Sequence, residues 1–491
     1  MKIASPKLHT AHLNANDEAL LRCKTALEDK DRGDAAGALE TMWPLWKRVG
    51  EYPRTTGLDS SVTAEVLLCV GILTSWIGSK NQIPDAQELA KNLITQSITC
   101  FESNRDITRI AVAQSEIAYC YYREGKLNEA RSWLHDALAK LAFEGAARAR
   151  ALLKLSTVEW TSGRFRAALE VLEQNESLFQ KITNSTIKGG YHSELAIIHR
   201  NLATTENKSE YFQRAIKEYK EAEKHFTLAH NPIYRADVIN NVGFLLFKLG
   251  SYKAAHKYLD VARRLTVTFK DKARTAQIDE SRAQVLIAEG KLVEAERVAR
   301  RAVSTLKKSG HFCMMAEALI TQGVALARLG RTANAHFIFR QAIEAAHQVN
   351  ALNIAGLAAL TLLEEIQPLS SDILQAAYRQ AREWLANSQS PDIKIRLADV
   401  ACRVLDSINT ELSADEATEI LLTEPGGLRA QLEKHEGVVI KRALAEVGGR
   451  VSHAASLLEM NYQSLAYIIE NRHPDLLKKR TPIRRRPRRR K

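Results

Sequence analysis

The sequence contains few cysteines, and none of them fits a metal-binding or disulfide pattern. The chain has 491 residues and six cysteines, with no Cys-x-x-Cys pair and no Cys/His spacing suited to zinc. A chain of this length does not need disulfides to hold its fold together. We therefore interpret all six as buried thiols in a reducing cytoplasm. They are Cys23, Cys69, Cys100, Cys120, Cys313 and Cys402.

The motifs of secretion, membrane insertion and common enzymes are also missing. The N-terminus has no apolar stretch followed by a cleavage site, so we predict no secretion signal. The most apolar window, Val66 to Ile77, is about half a membrane span and is predicted to be a buried helix. There is no phosphate-binding loop, dinucleotide fingerprint or His-Glu-x-x-His motif. We expect no catalytic residue, no cofactor, no metal and no membrane partner.

Two further groups of residues have a structural explanation. His192, Glu194 and His199 share one predicted helix, but a single helix supplies too few metal ligands, so we assign them to a polar outer face. Three tryptophans are assigned to the core. They are Trp43, Trp46 and Trp76.

Positive charge is concentrated at the C-terminus. The formal net charge is +13, and the tail from Lys478 to Lys491 carries ten cations and no acid, leaving +3 for the rest. A polyanion partner is therefore expected at one end only. The tail has one aliphatic residue and two prolines, so we expect it to be disordered. If about six of its cations meet phosphates, log K should fall with log salt at a slope of about 5.

A repeated glycine sets the architecture of the first 350 residues. Six glycines are each followed five residues later by an alanine, at spacings of 92, 38, 87, 40 and 40 residues. The long gaps equal about two periods, and two degenerate copies fill them, near Gly78 to Ala86 and Glu210 to Ala215. The six glycines are Gly33, Gly125, Gly163, Gly250, Gly290 and Gly330.

Small residues recur seven positions before the glycine and seven after the alanine, as at Gly243 and Ala262. Seven residues return to the same helix face, so these side chains allow paired antiparallel helices to approach closely. The pattern resembles the tetratricopeptide repeat (TPR), in the version of about forty residues found in bacterial regulators, from Glu18 to Val349. Two or three further helices without a clear repeat are expected to cap this solenoid, at Leu352 to Gln367, Asp372 to Asn387 and Ile393 to Asn409.

The resemblance implies a concave surface, formed by the first helix of each pair, that binds protein segments. The candidate groove residues in this sequence lie in two repeats. Ser115 and Lys248 are predicted to lie on the same face. Packing between neighbouring repeats is the alternative explanation for these aromatic side chains, and nothing in the sequence identifies a ligand. The candidates are Tyr119, Tyr122, Arg123, Asn240, Phe244 and Phe247.

The last sixty residues contain a different helical pattern. After a Pro-Gly linker, Leu428 to Val447 forms one amphipathic helix, with Leu432, Val439, Ile440, Ala443 and Leu444 among its apolar residues. Gly448 and Gly449 are expected to end it. Ser452 is predicted to cap a short helix that extends to Leu458, and Asn461 to cap a second helix, Tyr462 to Asn471.

These features resemble the Fis-type helix-turn-helix of bacterial enhancer-binding activators. Glu459 occupies the place where that family usually has glycine, and the family's cations on the outer face of the recognition helix are absent. A left-handed Glu459 would cost on the order of 1 kcal/mol relative to glycine. The matching residues are Gly448, Gly449, Ser452, Ala454, Ala455, Leu458, Met460, Asn461 and Leu465.

The resemblance implies a DNA-binding surface at the start of the second helix. Gln463 can pair with an adenine edge, Ser464 can bond a base or a phosphate, and the tyrosines can contact a thymine methyl or a phosphate. The predicted base contacts are Tyr462, Gln463, Ser464 and Tyr467. The predicted phosphate contacts are Arg450, His453, Arg472, His473, Lys478, Lys479, Arg480, Arg484, Arg485 and Arg486.

We therefore predict an all-α protein of five segments. They are an N-terminal arm (1–17), a TPR-like solenoid (18–350), a helical cap and linker (351–423), a Fis-type helix-turn-helix (424–477) and a basic tail (478–491). The predicted function is a cytoplasmic DNA-binding regulator with a protein partner on the solenoid and a possible homodimer contact through Leu428 to Val447. The alternatives are an adaptor whose tail binds RNA, ribosomes or anionic surfaces, and an enzyme of unrecognised type.

Overall fold

A computed structural model describes residues 13–142, 144–206, 208–367, 371–386, 388, 390–411 and 428–479. The chain divides into two compact units, Met1–Val404 and Leu405–Lys491. The helices that begin in the first unit are α1 (Ala15–Asp31), α2 (Ala35–Met42), α3 (Ser60–Lys80), α4 (Ala86–Ser103), α5 (Ile107–Arg123), α6 (Leu127–Lys140), α7 (Ala146–Thr161), α8 (Phe165–Glu173), α9 (Glu176–Lys181), α10 (Ser185–Thr205), α11 (Glu210–Leu228), α12 (Pro232–Lys248), α13 (Tyr252–Thr268), α14 (Lys272–Ala288), α15 (Leu292–Lys308), α16 (Phe312–Arg328), α17 (Thr332–Gln348), α18 (Leu352–Glu365), α19 (Ser371–Trp384) and α20 (Pro391–Glu411).

The first unit is a solenoid of antiparallel helix pairs, which confirms the predicted TPR-like fold. Each first helix packs most extensively on the helix that follows it, as α12 packs on α13 and α16 on α17. First helices of neighbouring pairs also contact one another, as α14 contacts α12 and α16. The first helices therefore form the inner surface, and the second helices form the outer one.

The turns and the helix contacts follow the sequence pattern. All six predicted glycines have positive φ, between +74° and +78°, a conformation that side chains disfavour. Gly243 and Gly323 instead lie inside first helices, where a Cβ would come within 2.8 Å of Leu259 and 2.7 Å of Phe339. These two glycines allow the close approach of paired helices that the seven-residue spacing predicts.

Helix α3 contains the apolar window that was predicted to be buried. It is long and apolar enough to cross a membrane, but 78% of its apolar window is buried in the solenoid. Trp46 and Trp76 pack in or against the same core, as predicted. The prediction was wrong for Trp43, which is 61% exposed, and for the exposed Cys402. Cys100 and Cys313 are half-buried rather than buried.

The solenoid turns far enough for its first pair to touch its sixth. Asn231, which caps α12, donates a hydrogen bond of 2.7 Å from Nδ2 to the carbonyl oxygen of Asp31. Gly33 packs on Ile233, since a Cβ at Gly33 would lie 2.8 Å from the Ile233 Cδ1 atom. Arg150 reaches the carboxylate of Asp31 at 3.3 Å. Helices α1, α7 and α12 thus enclose part of the inner surface.

The second unit contains a three-helix arrangement on its own small core. Its helices are α21 (Leu428–Glu446), α22 (Val451–Leu457) and α23 (Tyr462–Asn471), followed by a short 3-10 helix (Pro474–Lys479). Ile440, Leu444, Leu465 and Ile469 meet at the centre, together with buried alanines. Val439 was wrongly assigned to this apolar side, because it is 40% exposed.

Candidate nucleic-acid and protein-binding sites

The turn before α22 is formed by Gly448 and Gly449, both with positive φ, as expected from the sequence. The first residue of α22 is Val451, and Arg450 occupies the N-cap position without a side-chain hydrogen bond to the helix. Ser452 is therefore not the cap that was predicted. Its hydroxyl lies 3.3 Å from Nδ1 of His453 instead. Ala454 and Ala455 face inward and are buried, as predicted.

The turn between α22 and α23 carries the Fis-type geometry. Glu459, at the family's glycine position, has a φ of +54° and is left-handed. Two residues later, the Asn461 side chain accepts a hydrogen bond of 2.7 Å from the Ser464 backbone N–H. This confirms Asn461 as the N-cap of α23. The turn and the cap together fix the direction in which α23 begins.

The outward face of α23 is free of contacts with the small core. Tyr462 and Tyr467 are 47% and 63% exposed, and Gln463 and Ser464 are also exposed. Leu465 and Ile469 on the opposite face are fully buried. The four predicted base contacts therefore share an accessible surface, and their contact with bases remains a prediction.

The predicted phosphate contacts fall into two groups. Arg450 and His453 are exposed at the start of α22. Arg472 and His473 instead contact Glu436 of α21, at 3.0 Å and 3.2 Å from its carboxylate oxygens. The ring of His473 also lies against Gly437. Glu436 therefore competes with a phosphate for both side chains.

The remaining predicted phosphate contacts lie at the C-terminal end of the chain. The side chains of Lys478 and Lys479, and all of Arg480, Arg484, Arg485 and Arg486, lie outside the described residues. Two exposed cations of α21, Lys441 and Arg442, were missed by the sequence argument. They follow the buried Ile440, so the helical period of α21 could have identified them.

The predicted groove residues form two aromatic clusters on first helices. In α5, the rings of Tyr119 and Tyr122 stack with centroids 5.1 Å apart, and the Arg123 guanidinium lies 4.8 Å from the Tyr119 ring. Burial raises the pKa of Tyr119 above its ordinary value, and the nearby Glu194 and Tyr234 raise it further.

The second cluster lies in α12. Phe244 and Phe247 contact each other edge to face, with ring centroids 5.7 Å apart, and Lys248 Nζ lies 5.4 Å from both. Asn240, also on this helix, has a buried Oδ1 atom without a hydrogen-bond partner among the described residues. An unpaired buried acceptor is costly, so Asn240 is a suitable contact for a ligand donor. Binding by these residues remains a prediction.

Two carboxylates on the inner surface have raised pKa values, of which Glu194 was considered only for a metal site and Glu280 was missed. Burial raises the pKa of Glu194 to about 7, although Trp160 donates a hydrogen bond of 2.7 Å to it. Burial likewise raises the pKa of Glu280 to about 7, against a hydrogen bond from Thr321, and the neighbouring Glu317 adds to the rise. Neither carboxylate has a cationic partner among the described residues. No local sequence motif marks them.

The three residues considered for a metal site do not lie on an outer face, so that expectation was wrong. His199 is buried on α10, stacks on Tyr211 and has an unpartnered Nδ1 atom. Burial lowers its pKa. His192 contacts Glu218 at 2.7 Å, while Glu194 binds Trp160. Within the described ranges, no cluster of three metal-ligating side chains is present.

Comparison with known proteins agrees with the second unit's geometry. Residues 431–469 match the family model described as bacterial regulatory protein, Fis family. No curated protein matches the chain. The chain therefore combines a TPR-like solenoid with a Fis-type helix-turn-helix.

Several solved structures resemble the solenoid. A Rap protein complexed with competence and sporulation factor is 12% identical, with a TM-score of 0.46, over 69% of this chain and 99% of that one. The quorum sensor NprR from B. thuringiensis is 13% identical, with a TM-score of 0.46, over 67% and 87%. Yeast Tom70 is 12% identical, with a TM-score of 0.45, over 82% and 85%. At these values the repeat assignment rests on this chain's own helix contacts.

Proposed function

We propose that this protein is a bacterial transcriptional regulator that binds duplex DNA through α23 and protein partners through the inner surface of the solenoid. Its place of action is the cytoplasm, and its role is binding rather than catalysis. The observation that carries the proposal is the accessible outward face of α23, held by a left-handed turn and an Asn461 cap in a segment that matches the Fis family.

Gln463 gives this proposal its sharpest test. Its amide can donate and accept hydrogen bonds on an adenine edge, which is worth about 1 to 3 kcal/mol of discrimination. We expect selection from a random duplex library to yield a sequence motif with the full chain. In the Gln463→Ala variant, the selected motif should lose its base preference at one position for each α23 helix that is bound. The matched control is Gln341→Ala, an exposed glutamine of α17. A library that returns no motif would refute specific recognition.

An adaptor without sequence-specific DNA binding is the second candidate, and one observation favours it. The outward face of α23 carries no lysine or arginine, so its own contribution to phosphate attraction is small. If the adaptor hypothesis holds, excess random duplex should displace every labelled DNA equally well, and Gln463→Ala should change nothing.

The inner surface of the solenoid is the proposed site of a protein partner. Its support is the half-buried clusters at Tyr119 and Phe244 and the unpaired Asn240 acceptor. We expect Phe244→Ala to weaken the binding of a captured partner. Phe337 is an exposed phenylalanine of the outer helix α17, and Phe337→Ala should leave that binding unchanged. Equal effects of the two substitutions would exclude the inner surface.

A homodimer through α21 is part of the same proposal. Val438 and Val439 are adjacent, apolar and exposed on that helix. Burying both in a symmetric contact would favour association by roughly 25 cal/mol per Å² of apolar surface. Two half-sites about 34 Å apart should then occur in the selected DNA. Sedimentation equilibrium should detect a dimer that Val438→Lys weakens, and a monomer at all concentrations would exclude it.

A further inference from the structure

The outer surface of the solenoid carries an uneven charge. The second helices of four consecutive pairs are α11, α13, α15 and α17, and together they expose thirteen lysines and arginines but three acids. The thirteen cations are Arg214, Lys217, Lys220, Lys224, Lys253, Lys257, Arg264, Arg297, Arg300, Arg301, Lys307, Lys308 and Arg340. We call these thirteen residues the outer basic surface. The three acids are Glu210, Glu294 and Glu344.

These cations follow the period of the repeat. Lys217, Lys257 and Arg297 are separated by 40 residues each, the spacing of the last repeats. They therefore occupy equivalent positions on α11, α13 and α15. A similar relation joins Arg300 to Arg340, and Lys224 to Arg264. Stacked pairs bring equivalent positions into rows across the helices, so the cations form rows rather than isolated charges.

Much of this charge is not neutralised within the protein. In the part of the chain that the structure describes, Lys217, Lys257 and Arg264 have no ion pair, and the nearest acid to Arg297 is Glu294 at 3.9 Å. Like charges gathered on one face repel one another. The repeat fold does not require them, because α4, α6 and α8 have the same place in earlier pairs and expose two cations and six acids.

We propose that the outer basic surface is a second, sequence-independent contact for the phosphates of duplex DNA. Lys224, Arg297 and Arg300 have acid partners, and the other ten cations have no ion pair among the described residues. Rows of such cations complement a regularly charged polyanion, and counterion release supplies the binding energy. The choice of duplex DNA among polyanions rests on the proposed function, because the same chain carries the DNA-binding helix α23. Lysines and arginines on an outer helical surface contact backbone and do not read bases.

The test uses the full-length protein with Lys217, Lys257 and Arg297 all changed to Glu. The three side chains are exposed, so the fold should persist, and melting temperature and circular dichroism check this. A second variant carries glutamine at the same three positions. The control variant changes Lys24, Lys47 and Lys80 to Glu, which gives the same net charge on exposed positions outside the outer basic surface.

The measurement is the affinity for a random 40-base-pair duplex between 50 and 200 mM salt. Losing three phosphate contacts should reduce the slope of log K against log salt by about 2 to 3 and lower the affinity at least about tenfold. The glutamine variant should lose a similar slope, while the control should keep the parent slope. Equal slopes in the Glu variant and the control would overturn the proposal.

One comparison distinguishes duplex DNA from other polyanions, and a second distinguishes this proposal from the proposal for α23. Single-stranded RNA and phosphatidylserine vesicles are measured with the same variants, and a loss confined to either of them would also overturn the duplex assignment. Sequence preference is measured separately by library selection. The outer-surface variant should bind all duplexes more weakly with its preferred motif unchanged, whereas failure of the α23 proposal would remove the motif and leave the slope difference intact.

Discussion

The front half of the solenoid, which contains α4, α6 and α8, has the same fold as the back half, which contains α11, α13, α15 and α17. The two halves have different surfaces. The second helices α4, α6 and α8 expose more acids than cations, whereas α11, α13, α15 and α17 expose mostly cations. Inside, the front half neutralises Glu116 with Lys154 at 2.7 Å, while the back half leaves Glu280 without a cation among the described residues. The repeat fixes buried small and apolar positions, and the remaining positions are free to acquire function.

The largest effect should come from the buried side of a second helix. Leu306 of α15 is fully buried, so Leu306→Ala should lower the free energy of unfolding by about 2 to 5 kcal/mol. Arg301, exposed on the same helix, is the control. Arg301→Ala should change the free energy of unfolding by less than about 0.5 kcal/mol. Urea denaturation measures both. Equal losses would show that the outward positions also hold the fold.

The difference between the unpaired Glu280 and the paired Glu116 should appear in how stability depends on pH. The pKa of Glu280 is about 7 in the fold against an ordinary 4.5, so folding favours its protonated form. Its ionisation therefore costs stability as pH rises from about 4.5 to 7, and the cost reaches about 3 kcal/mol above that range. Glu280→Gln should raise the melting temperature at pH 8 and have little effect at pH 4.

The paired carboxylate of the front half is the matched comparison. Burial opposes the ionisation of Glu116, but Lys154 holds its pKa below the ordinary value. Glu116→Gln should therefore destabilise the protein at pH 8, because it leaves the Lys154 cation unpaired. Thermal melts of both variants at pH 4 and pH 8 give the two signs. The same sign for both at pH 8 would remove the distinction between the halves.

The helix-turn-helix extends the comparison to turns. The turn after α12 places Gly250 at φ +74°, whereas the turn between α13 and α14 places Lys270 at +57° and the turn before α23 places Glu459 at +54°. Glu459→Gly should stabilise the second unit by about 1 kcal/mol, and Gly250→Ala should destabilise the solenoid by a similar amount. Hydrogen exchange in α23 and α12 reports each unit. Destabilisation by Glu459→Gly would mean that the Glu459 side chain itself supports the turn.

The smallest effect on stability should come from exchanging surface charge. Glu129 and Asp136 are exposed on α6 and have no ion pair among the described residues. Changing both to lysine removes two acids from the front half and adds two cations, and each change should alter the free energy of unfolding by less than about 0.5 kcal/mol. Denaturant titration tests this, and a loss above 2 kcal/mol would mean that the acids support the front half.

The sequence predicted most of what local physics decides. The glycine period gave the turns, and Asn461 followed from the preference for a short polar side chain at a helix start. Ser452 failed as a cap because α22 begins at Val451, before the serine. Trp43, Cys402 and Val439 failed because apolar character alone does not specify which positions the fold covers.

Other features depend on the curvature of the solenoid, which results from the small rotation between successive helix pairs. The raised pKa of Glu194 follows from its burial beside Trp160 of α7. The contact between Asp31 and Asn231 requires the three-dimensional path of six pairs, which no local pattern encodes. The outer basic surface is intermediate, because the 40-residue spacing of Lys217, Lys257 and Arg297 is visible in the sequence once the repeat is known. Net charge concealed it, since acids elsewhere balance these cations.

The hydrogen bond from Asn231 to Asp31 has a consequence for how the solenoid unfolds. In an open repeat array each unit depends only on its neighbours, so the ends fray and melting spreads along the array. A bond that spans 200 residues couples the stability of the first pair to that of the sixth. It also adds a long-range closure step to a chain of otherwise local contacts, which slows folding. The six enclosed pairs should therefore behave as one cooperative block, with sequential loss of structure confined to the pairs beyond α13.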